Sequence, residues 1–310
     1  MRKLLASGLV LLCFFITFLL FSFKSVTAKP APKNGGTDFE TCKGCHEEVA
    51  NRFERTPKGV LFTKNPRNTV EALICESCHG PAADHADSEG QEFGNMIRFK
   101  KTSPGTVSRR NQACLQCHEK KARLFWQGST HEIKDIACVD CHTMHPQPGN
   151  ASRALLSKPT EMDTCKTCHK KQVGEQMRFS HHPLREGKMS CSSCHNPHGS
   201  PSEKLVKGNS INELCYSCHP KYRGPVIFQH PPVTENCANC HQSHESAYPR
   251  LLKRPQARLC RECHVNFHSL TLGANRNATH IAGRLCTDCH VNIHGSNNPD
   301  PVFGARRFHR

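Results

Sequence analysis

The sequence predicts a protein that is mostly coil with short α-helices and little or no β-structure, folded around bound groups in place of an apolar core. Three observations lead to this prediction. The 310 residues include ten Cys-x-x-Cys-His motifs, only one Trp and three Tyr, and 20 Gly and 20 Pro. This composition, with a mean hydropathy of −0.59, cannot form the apolar core that a chain of this length needs.

The ten motifs use all but one of the 21 cysteines. Two thiols at this spacing can each add to a vinyl group of one porphyrin, and the histidine that follows can bind the iron as its proximal ligand. We therefore predict ten covalently bound haem c groups. The attachment cysteines are Cys42, Cys45, Cys75, Cys78, Cys114, Cys117, Cys138, Cys141, Cys165, Cys168, Cys191, Cys194, Cys215, Cys218, Cys237, Cys240, Cys260, Cys263, Cys286 and Cys289. The proximal histidines are His46, His79, His118, His142, His169, His195, His219, His241, His264 and His290.

Two other uses of paired cysteines fit the pattern less well. Zinc ribbons contain Cys-x-x-Cys pairs but do not require a histidine directly after the second cysteine, and a disulfide has no use for that histidine. All ten motifs have it. Haem attachment is the interpretation that accounts for every specified residue of the motif.

Residues 1–28 have the pattern of an export signal. Two basic residues precede an apolar run over residues 4–23, and a small-residue cleavage pattern ends at Ala28. The run is also long enough, at about 20 residues, to span a bilayer as an uncleaved anchor. We expect cleavage near Ala28, a flexible leader over residues 29–36 and a periplasmic location.

The formal net charge of +16 would ordinarily suggest a nucleic acid or an acidic surface as partner. Each predicted haem brings two propionates, however, and these carboxylates can pair with much of the Lys and Arg excess. We therefore predict no nucleic acid partner.

From the fourth motif onward the chain repeats in units of two motifs, as stacked structural repeats do. The first motif of each unit is followed three positions later by another histidine and then by a Leu-x-Lys segment. These histidines are His145, His198 and His244, and the segments are 156–158, 205–207 and 251–253. We predict two halves of five haems each, over residues 37–185 and 186–310. Short helices are predicted over 160–171 and 209–218, where Thr160 and Asn209 can serve as N-caps.

Twelve histidines lie outside the motifs, close to the ten that a second axial ligand for every iron requires. A histidine three or four positions after a proximal ligand lies on the same side of that haem, so it cannot readily reach the opposite face of the same iron. Such histidines should instead ligate neighbouring haems and tie them into a continuous array; they are His145, His198, His244, His268 and His294. With both axial positions filled, the irons cannot bind substrate, so we predict an electron-transfer protein without catalytic residues.

Several segments resemble the Mtr-type periplasmic decahaem c-type cytochromes, the MtrA/DmsE-like family. They are Cys-His-Gly-Pro at 78–81 with His85 following, Asn-Pro-His-Gly at 196–199, Cys-Tyr-Ser-Cys-His at 215–219 and Pro-Val-Thr-Glu-Asn-Cys at 232–237. Together with the chain length and the ten motifs, the resemblance covers nearly all of residues 37–300. It implies an elongated haem array.

Carried over position by position, the resemblance implies nine distal ligands. They are His85, His131, His145, His182, His198, His230, His244, His268 and His294. Of the adjacent His181 and His182, the second matches the His-Pro of the family. The chain departs from the family where His-Gly is usual, because Lys58 precedes Gly59. Lys58 is then a tenth distal ligand in its neutral form or an ordinary surface lysine, in which case His280 completes the set or one haem is open.

The resemblance also implies a function. It is an electron conduit inserted into an outer-membrane β-barrel porin, linking periplasmic or inner-membrane cytochromes to an extracellular multihaem cytochrome, metal or mineral. The alternative is a soluble periplasmic shuttle that feeds a terminal reductase of the sulfoxide or nitrite reductase type. A haem enzyme is a third class, but the Cys-x-x-Cys-Lys motif of multihaem nitrite reductases is absent from the sequence.

Overall fold

The computed structural model describes residues 36–100, 105–149, 154–265 and 284–297. The chain divides into two compact units, Met1–Met96 and Ile97–Arg310, which contain two and eight of the motifs respectively. The predicted export signal and the predicted ligands His268 and His280 lie outside the described residues. The division into five-haem halves at residues 185 and 186 stays a prediction.

The first unit consists of short helices. They are α1 (Phe39–Glu54), α2 (Pro57–Lys64), α3 (Thr69–Ala72), α4 (Glu76–His79) and α5 (Ala83–Asp87). Helix α1 is kinked at His46, whose φ of −115° and ψ of 39° are not helical. The kink therefore falls on the proximal histidine of the first motif.

The second unit is built of still shorter pieces. Its α-helices are α6 (Val107–His118), α7 (Thr130–Ile133), α8 (Cys138–Cys141), α9 (Glu161–Lys166), α10 (Lys170–Glu175), α11 (Cys191–Cys194), α12 (Ile211–Tyr216), α13 (Pro231–Glu235) and α14 (Gln256–Arg261). Single 3₁₀ turns cover Lys121–Arg123, Glu203–Leu205, Pro220–Tyr222, Cys237–Asn239, Pro249–Leu251 and Cys286–Asp288. Over the described ranges of the chain, no helix is both long and apolar enough to cross a membrane.

Polar side chains begin the predicted helices of the second unit. The Thr160 hydroxyl accepts a hydrogen bond from the Asp163 amide at 3.0 Å and so caps α9. Helix α12 is capped in the same way by Ser210, one residue after the predicted Asn209. The prediction for 160–171 corresponds to two helices, α9 and α10, separated at the proximal histidine His169.

The sheet content is minimal. Strands β1 (Ser180–His181) and β2 (Glu245–Ser246) pair antiparallel, with Ser180 opposite Ser246 and His181 opposite Glu245. In the part of the chain that the structure describes, these are the strands of its one sheet. The prediction of mostly coil, short helices and little β-structure is confirmed.

The apolar core of the polypeptide is small. Among the described residues, six hydrophobic side chains are buried: Ala50, Phe53, Phe62, Ala82, Trp126 and Ala137. Large apolar side chains elsewhere are open, as at Phe179 and Ile227, which are 79% and 71% exposed. Burial of this extent falls well short of what an ordinary domain of similar length achieves, as expected for a chain that folds around bound groups.

Buried asparagines join consecutive motifs in the second unit. The Asn212 side chain accepts a hydrogen bond from the Cys237 amide at 2.7 Å and donates one to the Val233 carbonyl at 3.0 Å. Asn111, at the same position before its own motif, accepts a hydrogen bond from the Cys138 amide at 2.8 Å. Each asparagine thus fixes the start of the next motif from the helix that carries the preceding one.

We expect the substitution Asn212→Ala to lower the free energy of unfolding by about 1–3 kcal/mol, because it leaves buried backbone groups without their partners. Urea unfolding of the haem-loaded protein, followed by circular dichroism, measures this change. Asn239→Ala is the matched control, since the Asn239 side chain is exposed and donates at 3.1 Å to the Pro232 carbonyl. Equal losses in the two variants would contradict the bridging role of Asn212.

Candidate haem-binding sites

The first cysteines of consecutive motifs lie in pairs. In each pair the two thiols are close enough to interact directly, and the partners are Cys42 with Cys75, Cys114 with Cys138, Cys165 with Cys191, Cys215 with Cys237 and Cys260 with Cys286. The contact with Cys75 lowers the pKa of the Cys42 thiol to about 7, which favours the nucleophilic thiolate. The pairing brings together the attachment points of two haems.

Seven motif histidines face a histidine from a distant part of the chain. In the first unit the rings of His46 and His85 are nearly parallel, with centroids 6.2 Å apart and planes 9° from parallel. In the second unit the pairs, with their centroid distances, are His142 with His198 (6.0 Å), His169 with His131 (6.1 Å), His195 with His244 (6.1 Å), His219 with His182 (6.5 Å), His241 with His294 (6.2 Å) and His264 with His230 (6.2 Å).

This separation fits one metal ion between the two rings. Metal–imidazole bonds of about 2 Å and a ring radius of about 1 Å place the centres of two trans imidazoles about 6 Å apart. Direct stacking would bring the rings much closer, and unrelated histidines would not repeat one distance seven times. The residues present therefore fit six-coordinate haem iron with two histidine ligands.

Hydrogen bonds orient these rings. In seven of them Nδ1 lies 2.8–3.0 Å from a backbone carbonyl oxygen; the rings are His85, His131, His142, His182, His195, His230 and His241. A carbonyl oxygen can only accept, so Nδ1 must carry the proton. The lone pair is then on Nε2, which leaves that nitrogen free to bind a metal.

Carbonyls directly before two of the Leu-x-Lys segments accept from proximal histidines. Beside the motif of His195, residues Lys204 and Leu205 both adopt positive φ, 56° in each case, and the Lys204 carbonyl accepts from the ring. Arg250 and Leu251 repeat this turn beside His241, with φ of 59° and 57°. The repeat of motif pairs that the sequence indicates is thus also a repeat of backbone geometry.

The candidate distal ligands are connected to one another. His131 Nδ1 donates at 2.8 Å to the carbonyl of Pro197, the residue before His198. His182 bonds in the same way at 2.9 Å to Ser243, before His244, and His230 at 3.0 Å to Ile293, before His294. In each case one hydrogen bond and one step along the backbone connect two candidate distal ligands. The first of them faces the histidine of one motif, and the second faces the histidine of the preceding motif.

Glycines follow two of these histidines for steric reasons. Gly199 has φ +110°, and a Cβ atom there would lie 1.9 Å from the Phe125 carbonyl oxygen. Gly295 has φ +127°, and its Cβ would lie 2.6 Å from a Val226 methyl group. The His-Gly sequence lets the backbone turn sharply beside packed chain while the imidazole points to its partner.

Burial keeps three of the candidate distal histidines neutral. Desolvation, reinforced by the neighbouring His142, lowers the pKa of His198 to about 4. The pKa values of His244 and His294 are lowered by the same cause, with smaller contributions from His195 and His241. These imidazoles can therefore bind a metal at neutral pH without first losing a proton.

The structure separates the adjacent His181 and His182. His182 faces His219, whereas His181 Nε2 lies 3.0 Å from the Glu186 carboxylate, which raises the pKa of His181. Lys58, the other unusual candidate, is half-buried with Nζ 5.8 Å from the ring centre of Phe62. His145, which lies three residues after the end of the fourth motif, is half-buried.

The paired thiols and the carbonyl acceptors were not predicted from the sequence. Neither was Trp126, which is buried with its ring centre 6.4 Å from that of His198. The only available signal was that it is the single tryptophan of the chain.

Comparisons with known proteins agree with this geometry. The doubled CXXCH motif family matches residues 181–224 and 230–269, and the cytochrome c-type protein NrfB-like family matches residues 75–155. The chain is similar to the multiheme cytochrome MtrA of Shewanella baltica, with 39% identity over 73% of this chain and 66% of the relative. It is also similar to the high-molecular-weight cytochrome c of Nitratidesulfovibrio vulgaris, with 25% identity over 59% of this chain and 31% of the relative. A third relative is the dissimilatory sulfite reductase MccA of Wolinella succinogenes, with 28% identity over 66% of this chain and 29% of the relative.

We expect His182→Ala to create one five-coordinate haem that binds carbon monoxide, because the imidazole opposite His219 is removed. Absorption difference spectra of the reduced protein with carbon monoxide report this as about one haem equivalent per chain. His181→Ala is the matched control and should bind none beyond the level of the unmodified protein. Carbon monoxide binding to the His181 variant alone would reverse the assignment of the two histidines.

Proposed function

The chain belongs to the Mtr-type multihaem c-type cytochromes, and from this premise we propose that it is an electron conduit across the outer membrane, held within a β-barrel porin. It carries covalently bound haem c at its Cys-x-x-Cys-His motifs. We propose that all ten motifs are occupied. When bound, each haem supplies one-electron exchange between ferric and ferrous iron.

The observation that carries the proposal is the alternation of two kinds of contact along the second unit. Odd-numbered motifs adjoin the next motif through their first cysteines, as at Cys165 and Cys191. Even-numbered motifs adjoin the next one through distal histidines, as where His131 bonds to the residue before His198. From the third motif to the tenth, each motif is therefore linked to its successor, as a relay of closely spaced carriers requires.

The protein residues act by holding and orienting. We propose that the seven facing histidines are distal ligands and that His145 and His268 complete two further sites. Two strong-field ligands on each iron leave no open position for a substrate and keep the geometry similar in both oxidation states. Imidazoles that are bound to iron in this way would suit electron transfer, so we propose that the chain is not itself an enzyme.

The proposed location and partners are supported by the export signal and by membership of the family. A periplasmic or inner-membrane cytochrome would exchange electrons at one end, and an extracellular cytochrome, metal or mineral at the other. The exposed apolar side chains of the described residues, among them Phe179 and Ile227, provide surface that a haem or the interior of a barrel can cover.

We predict that the affinity-tagged protein, solubilised from the outer membrane of its own host in mild detergent, co-purifies with a large β-barrel protein in equal amounts. Gel filtration and intact-mass measurement of the cytochrome check the partner and the ten-haem content together. Recovery of the chain as a free monomer in the periplasmic extract would favour the soluble shuttle.

In the His182→Ala variant the barrel should be retained, while electron transfer from reduced methyl viologen inside liposomes to external ferric citrate slows.

A second prediction concerns Lys58, which we propose as the tenth distal ligand in its neutral form. Near-infrared magnetic circular dichroism of the oxidised protein should contain one His/Lys band among bis-His bands, and Lys58→Ala should remove it. His280→Ala is the control and should leave the band unchanged. Bis-His bands only, with a new open haem in the His280 variant, would assign the site to His280.

A further inference from the structure

One position recurs where the first cysteines of two consecutive motifs lie together, here called a paired-thiol junction. It is the residue four places before the first cysteine of an odd-numbered motif, and at two junctions it bonds to the residue directly after the first cysteine of the next motif. Glu161 accepts from the Ser192 amide at 2.5 Å and from the Ser192 hydroxyl at 2.7 Å. At the last junction, Gln256 donates to the Thr287 hydroxyl at 2.7 Å.

The chemistry at this position differs from one junction to the next. Glu161 and Gln256 have nearly the same shape, but the first is a carboxylate and the second a neutral amide. The junction of the first and second motifs has an exposed carboxylate, Asp38, at the same place. That of the seventh and eighth has Ile211, and that of the third and fourth has Arg110, whose side chain is buried. The repeat therefore keeps the position and varies its charge.

Glu161 lies directly beside two haem attachment points. One of its carboxylate oxygens and the sulfur atoms of Cys165 and Cys191 all lie within 4.8 Å of one another. Both sulfurs become thioethers when haem is attached, so they hold no separate metal ion. The half-buried carboxylate would then lie at the porphyrin edges of the fifth and sixth haems, where it is less screened than in bulk water.

A negative charge at this place favours the oxidised haem. Ferric haem has one more positive charge than ferrous haem, so a nearby carboxylate stabilises the ferric state and lowers the reduction potential. The donors of Ser192 hold the carboxylate in position, because an amide N–H and a hydroxyl can both donate to it. The equivalent amide of Gln256 has no net charge and therefore lacks this effect.

We propose that Glu161 lowers the reduction potentials of the haems of the fifth and sixth motifs, an effect that the neutral Gln256 does not have at the junction of the ninth and tenth motifs. This proposal rests on the proposed function, because it requires haem at both motifs. Glu161 lies within 4.8 Å of both attachment sulfurs and acts on the irons through its charge alone.

The test is a potentiometric titration of the haem-loaded protein, followed by haem absorption, in three variants and one control variant. Glu161→Gln should move the low-potential part of the curve to higher potential, and Glu161→Asp should stay close to the unmodified protein. Gln256→Glu places a carboxylate at the equivalent junction and should move part of the curve to lower potential. Glu48→Gln is the control, because the Glu48 side chain is 81% exposed.

The outcomes separate the inference from the function on which it rests. A Glu161→Gln curve that coincides with that of the unmodified protein, or that moves no further than that of Glu48→Gln, would overturn the proposal. Mass spectrometry of haem peptides is run on each variant. If the Glu161 variants lost haem, the direction of the shift in Gln256→Glu would decide. Absence of haem from the fifth and sixth motifs of the unmodified protein would instead remove the proposed function.

Discussion

The fold depends on one constraint, that a haem bound between two imidazoles needs its second imidazole from a different part of the chain. The histidine three places after a motif faces the histidine of an earlier motif, as His198 faces His142 and His244 faces His195. On the proposed ligand assignment, each loop would therefore both present a haem and complete another. This interlocking would replace the apolar core that the composition does not provide.

The local geometry fits this arrangement. Leu205 and Leu251 adopt positive φ, a conformation that is unfavourable by about 1–2 kcal/mol for residues with a Cβ atom. Strain of this kind persists where the surroundings determine the backbone strongly, and here it aims a carbonyl at a histidine ring. Covalent haem attachment and ligation at the adjacent motif would add to the constraint on such turns.

Much of the candidate site was predictable because haem attachment is encoded in adjacent residues. Cysteine spacing predicts every attachment point, and the His-Pro pattern selects His182 over His181, as the ring contacts also favour. The partner of each distal histidine was not predictable, since it depends on which loops meet in space. The same holds for Asn212, whose bridge to Cys237 joins residues 25 positions apart, and for Glu161, whose neighbours belong to another motif.

The direction of the loops has a consequence for biogenesis. On the proposed ligand assignment, the fourth, sixth and eighth haems receive their second imidazole from His198, His244 and His294, all of which lie later in the chain. A polypeptide translocated from its N-terminus would expose each of these irons with one coordination site unfilled until the downstream loop emerged. The irons would then gain their second ligands one after another, in order toward the C-terminus. A chain truncated before Ile293 would retain a reactive iron at its eighth haem.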